Sequence, residues 1–413
     1  ESFISNKTSS LDESGLITTI SPGIRYEATG LRNSLLFNYN LIASYYSSLS
    51  QQDQINQSLS LRSDSSHVPN HWDSYITSTI KQTNVSSDGI QIVNPNIQSD
   101  NTRELRTLGA GTALKGRWTK AITYQTALNV DYADFEDGES TRGAGINLGL
   151  SSNNTQRKLN WSTLLSSRDS RTANTDQQIH TVHAELNYRF TRKYATFLTL
   201  DKSKTQNDLL DDTNTIIGIH WTPNRYSFLK LGAGKRGDDT TYFLDSMVRN
   251  NRTTYTFNYD ETVTDSRTLL IDETSIQPGF SPSSQTLSTT PILLKNGRIG
   301  ITANGKRTDL TLAYFMQIKN QANTNSEEEV TEGINISANR RLSNLSSVRI
   351  LLSHQESKTI QENSLDDASL AYDRRLSKKI NVSIELRKTE QTSNITVNEY
   401  EQNLLNLRMT ATF

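Results

Sequence analysis

The last residues of the chain alternate between two kinds of side chain. One set of alternate positions is apolar and consists of Leu405, Leu407, Met409, Ala411 and Phe413. The other set is mostly polar and consists of Leu404, Asn406, Arg408, Thr410 and Thr412. Because successive side chains of a β-strand point to opposite faces, this segment separates an apolar surface from a mostly polar one. About ten residues is also the length of a tilted strand that crosses a bilayer.

The same alternation recurs along the chain, and its apolar phase carries no charge. Further apolar sets begin at Leu35, Ile122, Val182, Leu310, Ile334, Val348 and Ile380. A Lys or Arg that faces lipid costs roughly 2–4 kcal/mol at the bilayer midplane, whereas a watery lumen imposes no such cost. We therefore predict that one phase faces lipid, as at Leu312, Tyr314, Ile336, Ile350, Val382, Ile384 and Leu407. The opposite phase should line a lumen, as at Thr311, Asn335, Arg349, Ser383, Glu385 and Arg408.

Composition agrees with a barrel better than with a soluble core. Only 33% of the residues are hydrophobic, and the mean hydropathy is -0.62. A barrel needs apolar residues on only half of each strand, and a closed barrel is the spanning structure left when no run of 18 apolar residues exists. The predicted fold is all-β: a single-domain transmembrane antiparallel outer-membrane β-barrel over residues 1–413. A last strand that ends on an aromatic residue is typical of this class, so we expect Phe413 to act as the assembly signal.

Short polar joints with turn residues separate the strands. They are residues 30–33, 191–193, 222–225, 250–252, 305–307, 342–344 and 376–378. Longer segments lie between them, at 134–141, 203–213, 265–294 and 320–330. This asymmetry is that of periplasmic turns and extracellular loops, and the joints predict about 20 strands, with 18 to 22 acceptable. Segment 265–294 is long enough either to fold into the lumen or to be a plain surface loop.

The predicted lumen carries ionisable residues of both signs. They are Asp131, Glu185, Arg189, Arg298, Asp309, Lys319, Arg349, Glu385, Arg387 and Arg408. A mixed wall rich in Asn, Ser, Thr and Gln is not a dedicated selector for one ion charge. It suits weak contacts with hydroxyl-rich solutes, and equally a merely hydrated interior.

Other function classes find little support. The net charge of -1 disfavours a nucleic-acid partner, and the absence of cysteine excludes disulfides, thiolate metal sites and covalent haem attachment to this chain. We find no nucleophile motif and therefore expect neither enzymatic activity nor a cofactor. His67 and His71 have no helix around them, so we expect structural roles and no metal. Acidic clusters such as 136–139 and 327–329 are best interpreted as solvated loop tips, and the four tryptophans as an interfacial girdle.

Three stretches resemble the PEP-CTERM system-associated outer-membrane protein family. They are 16–24 followed by 35–46, then 221–223 with 253–259 and 264–270, and finally Asn339-Arg340-Arg341-Leu342-Ser343. Members of that family are β-barrels found alongside exopolysaccharide and exosortase genes. The resemblance implies an outer-membrane pore for exopolysaccharide export that works beside a short periplasmic polysaccharide-export protein. It carries over no catalytic residues.

These observations lead to one leading hypothesis and two alternatives. The leading hypothesis is an integral barrel of the bacterial outer membrane, surrounded by lipid and lipopolysaccharide, that helps a polysaccharide to leave the cell. One alternative is a sheath around a multihaem cytochrome that crosses the membrane, with the haems on the partner. The other is a general diffusion porin.

Overall fold

The computed structural model describes residues 2–8, 11–47, 53–84, 101–136, 138, 140–152, 158–172, 176–205, 211–265, 268, 290–321, 328–359, 361–395 and 398–411. Residues 2–8, 11–14 and 321 are described by their backbone alone. Within these ranges the chain forms 23 β-strands, and every recorded pairing between them is antiparallel. No helix in the described part of the chain is long and apolar enough to cross a membrane.

The strands follow one another as a meander. The first eight are Ser2–Thr8 (β1), Leu11–Ile20 (β2), Gly23–Thr29 (β3), Asn33–Tyr46 (β4), Gln54–Val68 (β5), Trp72–Asn84 (β6), Thr102–Arg117 (β7) and Ile122–Phe135 (β8). The next eight are Ser140–Ser152 (β9), Leu159–Thr172 (β10), Asp176–Arg189 (β11), Tyr194–Thr205 (β12), Asp211–Asn224 (β13), Ser227–Arg236 (β14), Asp239–Asn250 (β15) and Thr253–Asp265 (β16). The last seven are Pro291–Asn304 (β17), Thr308–Gln321 (β18), Glu329–Arg341 (β19), Ser346–Lys358 (β20), Glu362–Arg375 (β21), Ile380–Ser393 (β22) and Tyr400–Ala411 (β23).

Two of these strands share one position in the wall. Both β2 and β3 pair with β4, and their registers are continuous, with Ile20 opposite Ala43 and Gly23 opposite Asn40. The interruption falls at Pro22, which has no N–H to donate, while its carbonyl still accepts from the Leu41 N–H at 3.0 Å. The wall therefore has 22 strand positions, an even number at the upper end of the predicted range.

The sheet returns on itself through the first strand. Residues 2–8 of β1 pair with β2 on one side and with residues 400–406 of β23 on the other. Because β2 continues to β4, and each later strand pairs with the next, the described strands form a closed ring. Twenty-two strands about 4.8 Å apart and tilted about 40° make a circular wall roughly 40 Å across at the backbone.

One face of this ring is concave. Glu185 on β11 reaches Lys230 on β14, and Phe197 on β12 lies 6.1 Å from the Phe243 ring on β15. Both contacts pass over two intervening strands, which side chains of this length manage only where they converge inside a curved sheet. These residues therefore mark the lumen face, and the register of the ladders assigns every other wall residue to one face or the other.

The outward face forms an uncharged belt with a charged edge. On β20 the outward side chains are Val348, Ile350 and Leu352, followed by His354 and Glu356. The belt is about eight residues deep, which is roughly 20 Å for a tilted strand and close to the apolar height of such barrels. The other strands repeat the pattern, so charges on the outer face lie above the lipid-facing part or, as Arg340 and Arg374 do, at its lower edge. The predicted outer-membrane barrel fold is confirmed.

The two rims differ in the length of their joints. At the rim where β23 ends, which we call the lower rim, successive strands are joined by two to six residues. At the opposite, upper rim the joints reach 25 residues, in segment 266–290. Short joints identify the lower rim as periplasmic. The outward aromatic residues Trp72, Trp161, Trp221 and Tyr372 lie near this rim, where an interfacial girdle is expected.

Four joints of the lower rim share one turn, at residues 118–121, 190–193, 342–345 and 376–379. In each joint, the N–H groups of the first two residues both donate to the carbonyl of the residue that follows the joint. Leu376 and Ser377 donate to the Ile380 carbonyl in this way, at 3.0 and 3.3 Å. The second residue is Ser or Thr, and its hydroxyl accepts from the backbone two residues on, as Ser377 Oγ does from Lys379 at 3.2 Å. This explains the recurrence of Arg-Arg-Leu-Ser at 340–343 and 374–377.

Several segments that the sequence predicts to be long loops are largely strand. Strand β8 continues to Phe135 and β9 begins at Ser140, and β12 and β13 leave only residues 206–210 between them. These strands rise above the lipid belt, where the outward face meets water instead of lipid, so their side chains lose the apolar alternation. The hydrogen-bonded ladder continues without it.

Candidate functional site: the lumen and its two mouths

All ten ionisable residues expected in the lumen lie on the concave face. Glu185 opposes Thr199 and Ser162 there, and Arg387 opposes Ser369. The register places the others on the same face: Asp131, Arg189, Arg298, Asp309, Lys319, Arg349, Glu385 and Arg408. Any role of these residues in binding a solute stays a prediction.

Arg387 and Asp367 lie on neighbouring strands and form an ion pair in the lumen. Arg387 donates through Nε to Asp367 Oδ1 at 2.6 Å and through a terminal nitrogen to Oδ2 at 2.9 Å. Thr389 Oγ1 donates to the same Oδ1 at 2.8 Å. The Asp367 side chain is only 3% exposed, so this forked pair supplies the compensation that a buried carboxylate requires.

A second cluster combines a charge pair with aromatic rings. Lys230 lies 3.0 Å from Glu185, 4.5 Å from the centre of the Phe197 ring and 5.3 Å from the centre of the Phe243 ring. Gly218 makes room for Phe197, because a Cβ at this position would lie 2.4 Å from the ring. The two neighbouring rings and the carboxylate all attract this cation and hold it in place.

Other lumen charges are paired in the same way. The partners are Arg168 for Asp131, Glu329 for Lys319 and Asp373 for Arg349, at 3.4, 3.7 and 3.2 Å. Sequence reasoning did not find Lys230, Arg168, Asp367 or Asp373, and it placed Glu329 in a solvated loop tip, whereas this residue begins β19 and pairs inside the lumen. Only the register of the strands could have revealed them, because the two residues of each pair lie on different strands. At these positions the lumen wall is therefore charged but locally neutralised.

The lumen changes with depth. Along β22 the concave side chain of Asn381, nearest the lower rim, is exposed, and those of Ser383 and Glu385 are half-buried. Higher on the same strand Thr389 and Gln391 are 2% and 1% exposed. The lower half is thus open to solvent, while the upper half is enclosed.

The enclosed half is mostly polar, with some buried apolar side chains such as Leu105, Phe135 and Ile292. Among the described side chains, several concave residues there bury an oxygen or nitrogen that has no hydrogen-bond partner in the protein. They include Asn214 Oδ1, Thr241 Oγ1, Thr331 Oγ1, Asn335 Nδ2 and Ser357 Oγ. Leaving such a group unpaired costs about 1–3 kcal/mol, so this interior suits contact with water or with solute hydroxyl groups.

The wall opens along one seam near the upper rim. Pairing between β15 and β16 stops at Leu244 and Tyr259, although β14 and β15 remain paired further up. Beyond that point the buried Arg236 spans the seam, 2.6 Å from Asp212 on β13 and 3.5 Å from Glu261 on β16. Its contact with Glu261 links β14 to β16 where β15 and β16 are no longer paired.

Two expected features fall outside the described residues. Phe413 is one, so its role as an assembly signal stays a prediction. The other is most of segment 265–294. Ile292 and Leu294, at the end of this segment, are described: they lie on the concave face and are 2% and 3% exposed.

The histidines expected to be structural have ordinary partners. His67 Nε2 is 2.7 Å from Ser74 Oγ and its ring is 4.5 Å from that of Trp72, while His71 Nδ1 is 3.0 Å from the Pro69 carbonyl. Within the described part of the chain, no three His, Asp or Glu side chains gather as metal ligands.

The two mouths differ in charge. The described joint residues of the lower rim contain no Asp or Glu, but many cations: Arg32, Lys120, Lys158, Arg192, Lys193, Arg225, Arg252, Lys306, Arg307, Lys378 and Lys379. Those of the upper rim contain no Lys or Arg, but several acids: Asp53, Glu136, Asp238, Glu328 and Glu399. The net charge of -1 thus hides two opposite ends.

The closed ring, its uncharged outward belt and its short-jointed rim define the class: the chain is an integral β-barrel of the bacterial outer membrane. The siderophore receptor PirA from Acinetobacter baumannii has the same fold, with a TM-score of 0.52 at 10% identity over 98% of this chain and 80% of that chain. A mutant of the ferric enterobactin receptor PfeA from Pseudomonas aeruginosa, also 10% identical, matches 100% of this chain and 80% of its own with a TM-score of 0.47. No protein-family model matches the chain, and no curated protein matches it.

Proposed function

We propose that the barrel passes a hydroxyl-rich polymer, an exopolysaccharide, outward through the outer membrane. The observation that carries the proposal is the enclosed polar half of the lumen, where atoms such as Asn335 Nδ2 and Ser357 Oγ are buried without a protein partner. Each sugar unit of such a chain offers several hydroxyl groups that both donate and accept hydrogen bonds. Such a chain satisfies this wall through many weak contacts that can form and break as the chain moves.

The neutralised charges of the wall support the same proposal. Pairs such as Arg387–Asp367 and Lys230–Glu185 leave few fixed charges in the middle of the lumen to hold a moving solute. Passage is then passive, and its direction comes from partners. A short periplasmic polysaccharide-export protein at the lower rim, as the family resemblance implies, fits this arrangement.

The test uses the absence of cysteine from the chain. Ser383 lies on the concave face in the open lower half, and its neighbour Ile384 lies outward, 42% exposed on the lipid-facing belt. In Ser383→Cys, a bulky methanethiosulfonate reagent should reduce surface polysaccharide, and a reducing agent should restore it. Ile384→Cys is the matched control and should export normally after the same treatment.

A deletion strain separates the alternatives. Polymer retained in the periplasm of that strain supports export. If the strain exports polysaccharide normally, the proposal fails. Another defect of the strain then identifies the function. Loss of electron transfer to external acceptors indicates the cytochrome sheath, loss of small-solute entry indicates a porin, and loss of siderophore use indicates a receptor like PirA.

A further inference from the structure

Two pairs of consecutive arginines lie at the lower rim. In each pair one side chain faces the lumen and the other faces outward. Arg341 ends β19 on the concave face, opposite Ser347, and Arg375 ends β21 on the same face, opposite Asn381. Their neighbours Arg340 and Arg374 lie on the outward face. All four residues are exposed, and none forms an ion pair with a described carboxylate.

The concave side of the same mouth carries further arginines. Arg117 ends β7 there, Arg189 ends β11 there, and Arg408 lies at the same face on β23. The outward side at this level carries Arg340 and Arg374 together with aromatic residues such as Trp161 and Trp221. Because lipid meets only the outward side, inward arginines serve something inside the mouth.

We infer that the lower mouth collects a polyanion, and that the exported polymer is an acidic polysaccharide with carboxylates along its chain. This inference rests on the proposed function and adds the chemical class of its substrate. Guanidinium groups pair with carboxylates through two parallel hydrogen bonds, which suits them to a uronic-acid polymer. Exposed arginines that line a mouth also raise the local concentration of an oppositely charged chain.

The opposite rim agrees with outward movement. Its described joints carry acids such as Glu136, Asp238 and Glu328 and no Lys or Arg. An anionic chain is therefore attracted where it enters from the periplasm and repelled where it leaves. Like charge at the exit means that the polymer is not held at that mouth, while the direction of its movement still comes from partners.

The experiment measures binding to the purified full-length barrel in phosphatidylcholine nanodiscs. The probes are fluorescent polygalacturonate oligomers and their methyl esters, which keep the sugar backbone but lack its charge. Two double variants, R341Q/R375Q inside the mouth and R340Q/R374Q outside it, remove equal charge from the same two strands. Polygalacturonate affinity should fall about fivefold in the inner variant and less than about twofold in the outer one, with the effect lost at high salt.

Three results overturn the inference. The first is equal binding of the oligomers and their methyl esters, and the second is an equal loss in both double variants. The third is a loss confined to R340Q/R374Q and to nanodiscs that contain phosphatidylglycerol, which assigns the cations to lipid headgroups.

The two proposals fail separately. If the mouth does not prefer polygalacturonate but a deletion strain retains polymer, only the acidic-substrate inference falls. If the deletion strain exports normally, the proposed function falls, even where the purified mouth binds the anionic probe.

Discussion

At the scale of single residues, the lumen is organised by partners that lie far apart in sequence. Asp367 is almost fully buried, and its two oxygens accept from Arg387 and Thr389. Alternation assigns Arg387 to the lumen from the sequence alone. It does not assign the partner, because the offset between two strands depends on the turn that joins them. The residue types of the site were thus predictable, and its pairs were not.

This pairing predicts the effect of breaking it. Arg387→Ala leaves the Asp367 carboxylate buried without its cation and should lower the free energy of unfolding by about 3–5 kcal/mol. Removing both groups in R387A/D367A should cost less than the single change. The measurement is urea unfolding of the barrel in detergent, monitored by tryptophan fluorescence.

The neighbouring Lys388 provides the control. It lies on the outward face, about half exposed, with Glu390 and Glu401 at 3.2 and 3.1 Å. Lys388→Ala should change the free energy of unfolding by about 1 kcal/mol or less, as is usual for exposed ion pairs. A double variant as unstable as R387A would show that the carboxylate is not what the arginine compensates.

At the scale of strands, the sequence predicts the parts that lie in lipid. Alternation there is enforced by the cost of exposing polar groups to hydrocarbon, so β20, β22 and β23 were recognisable. The upper parts of β12 and β13 carry polar residues on both faces and resemble loops in sequence, although they are hydrogen-bonded strands. The joining of β2 and β3 across Pro22 was also hidden, because a proline ordinarily ends a strand.

A run of three apolar residues on β20 tests the register. Ile350 and Leu352 lie outward, but Leu351 lies between them on the concave face, opposite Ser369. Ile350→Arg should cost roughly 2–4 kcal/mol and reduce outer-membrane levels, because it places a cation in the lipid belt. Leu351→Arg should insert nearly normally. Both are measured by heat-modifiable migration of membrane fractions, and equal defects would contradict the assigned faces.

At the scale of the whole molecule, charge is separated along the barrel axis. Composition gave no hint of this, since the sum is -1 and both signs occur throughout the chain. The separation becomes visible only when each joint is assigned to a rim, which requires the complete order of the strands. Neutralised pairs in the middle of the lumen then leave the two mouths as the main fixed charges along the path of a solute.

Two oppositely charged mouths in series make the barrel an ionic diode. Under one sign of voltage, mobile cations and anions are both driven into the lumen; under the other, both are depleted. Reconstituted barrels should therefore rectify current in about 50 mM KCl, and the asymmetry should vanish near 1 M, where the Debye length is about 3 Å. R341Q/R375Q should weaken the rectification more than R340Q/R374Q does. A current that is symmetric in low salt would mean that the mouths do not control the ions.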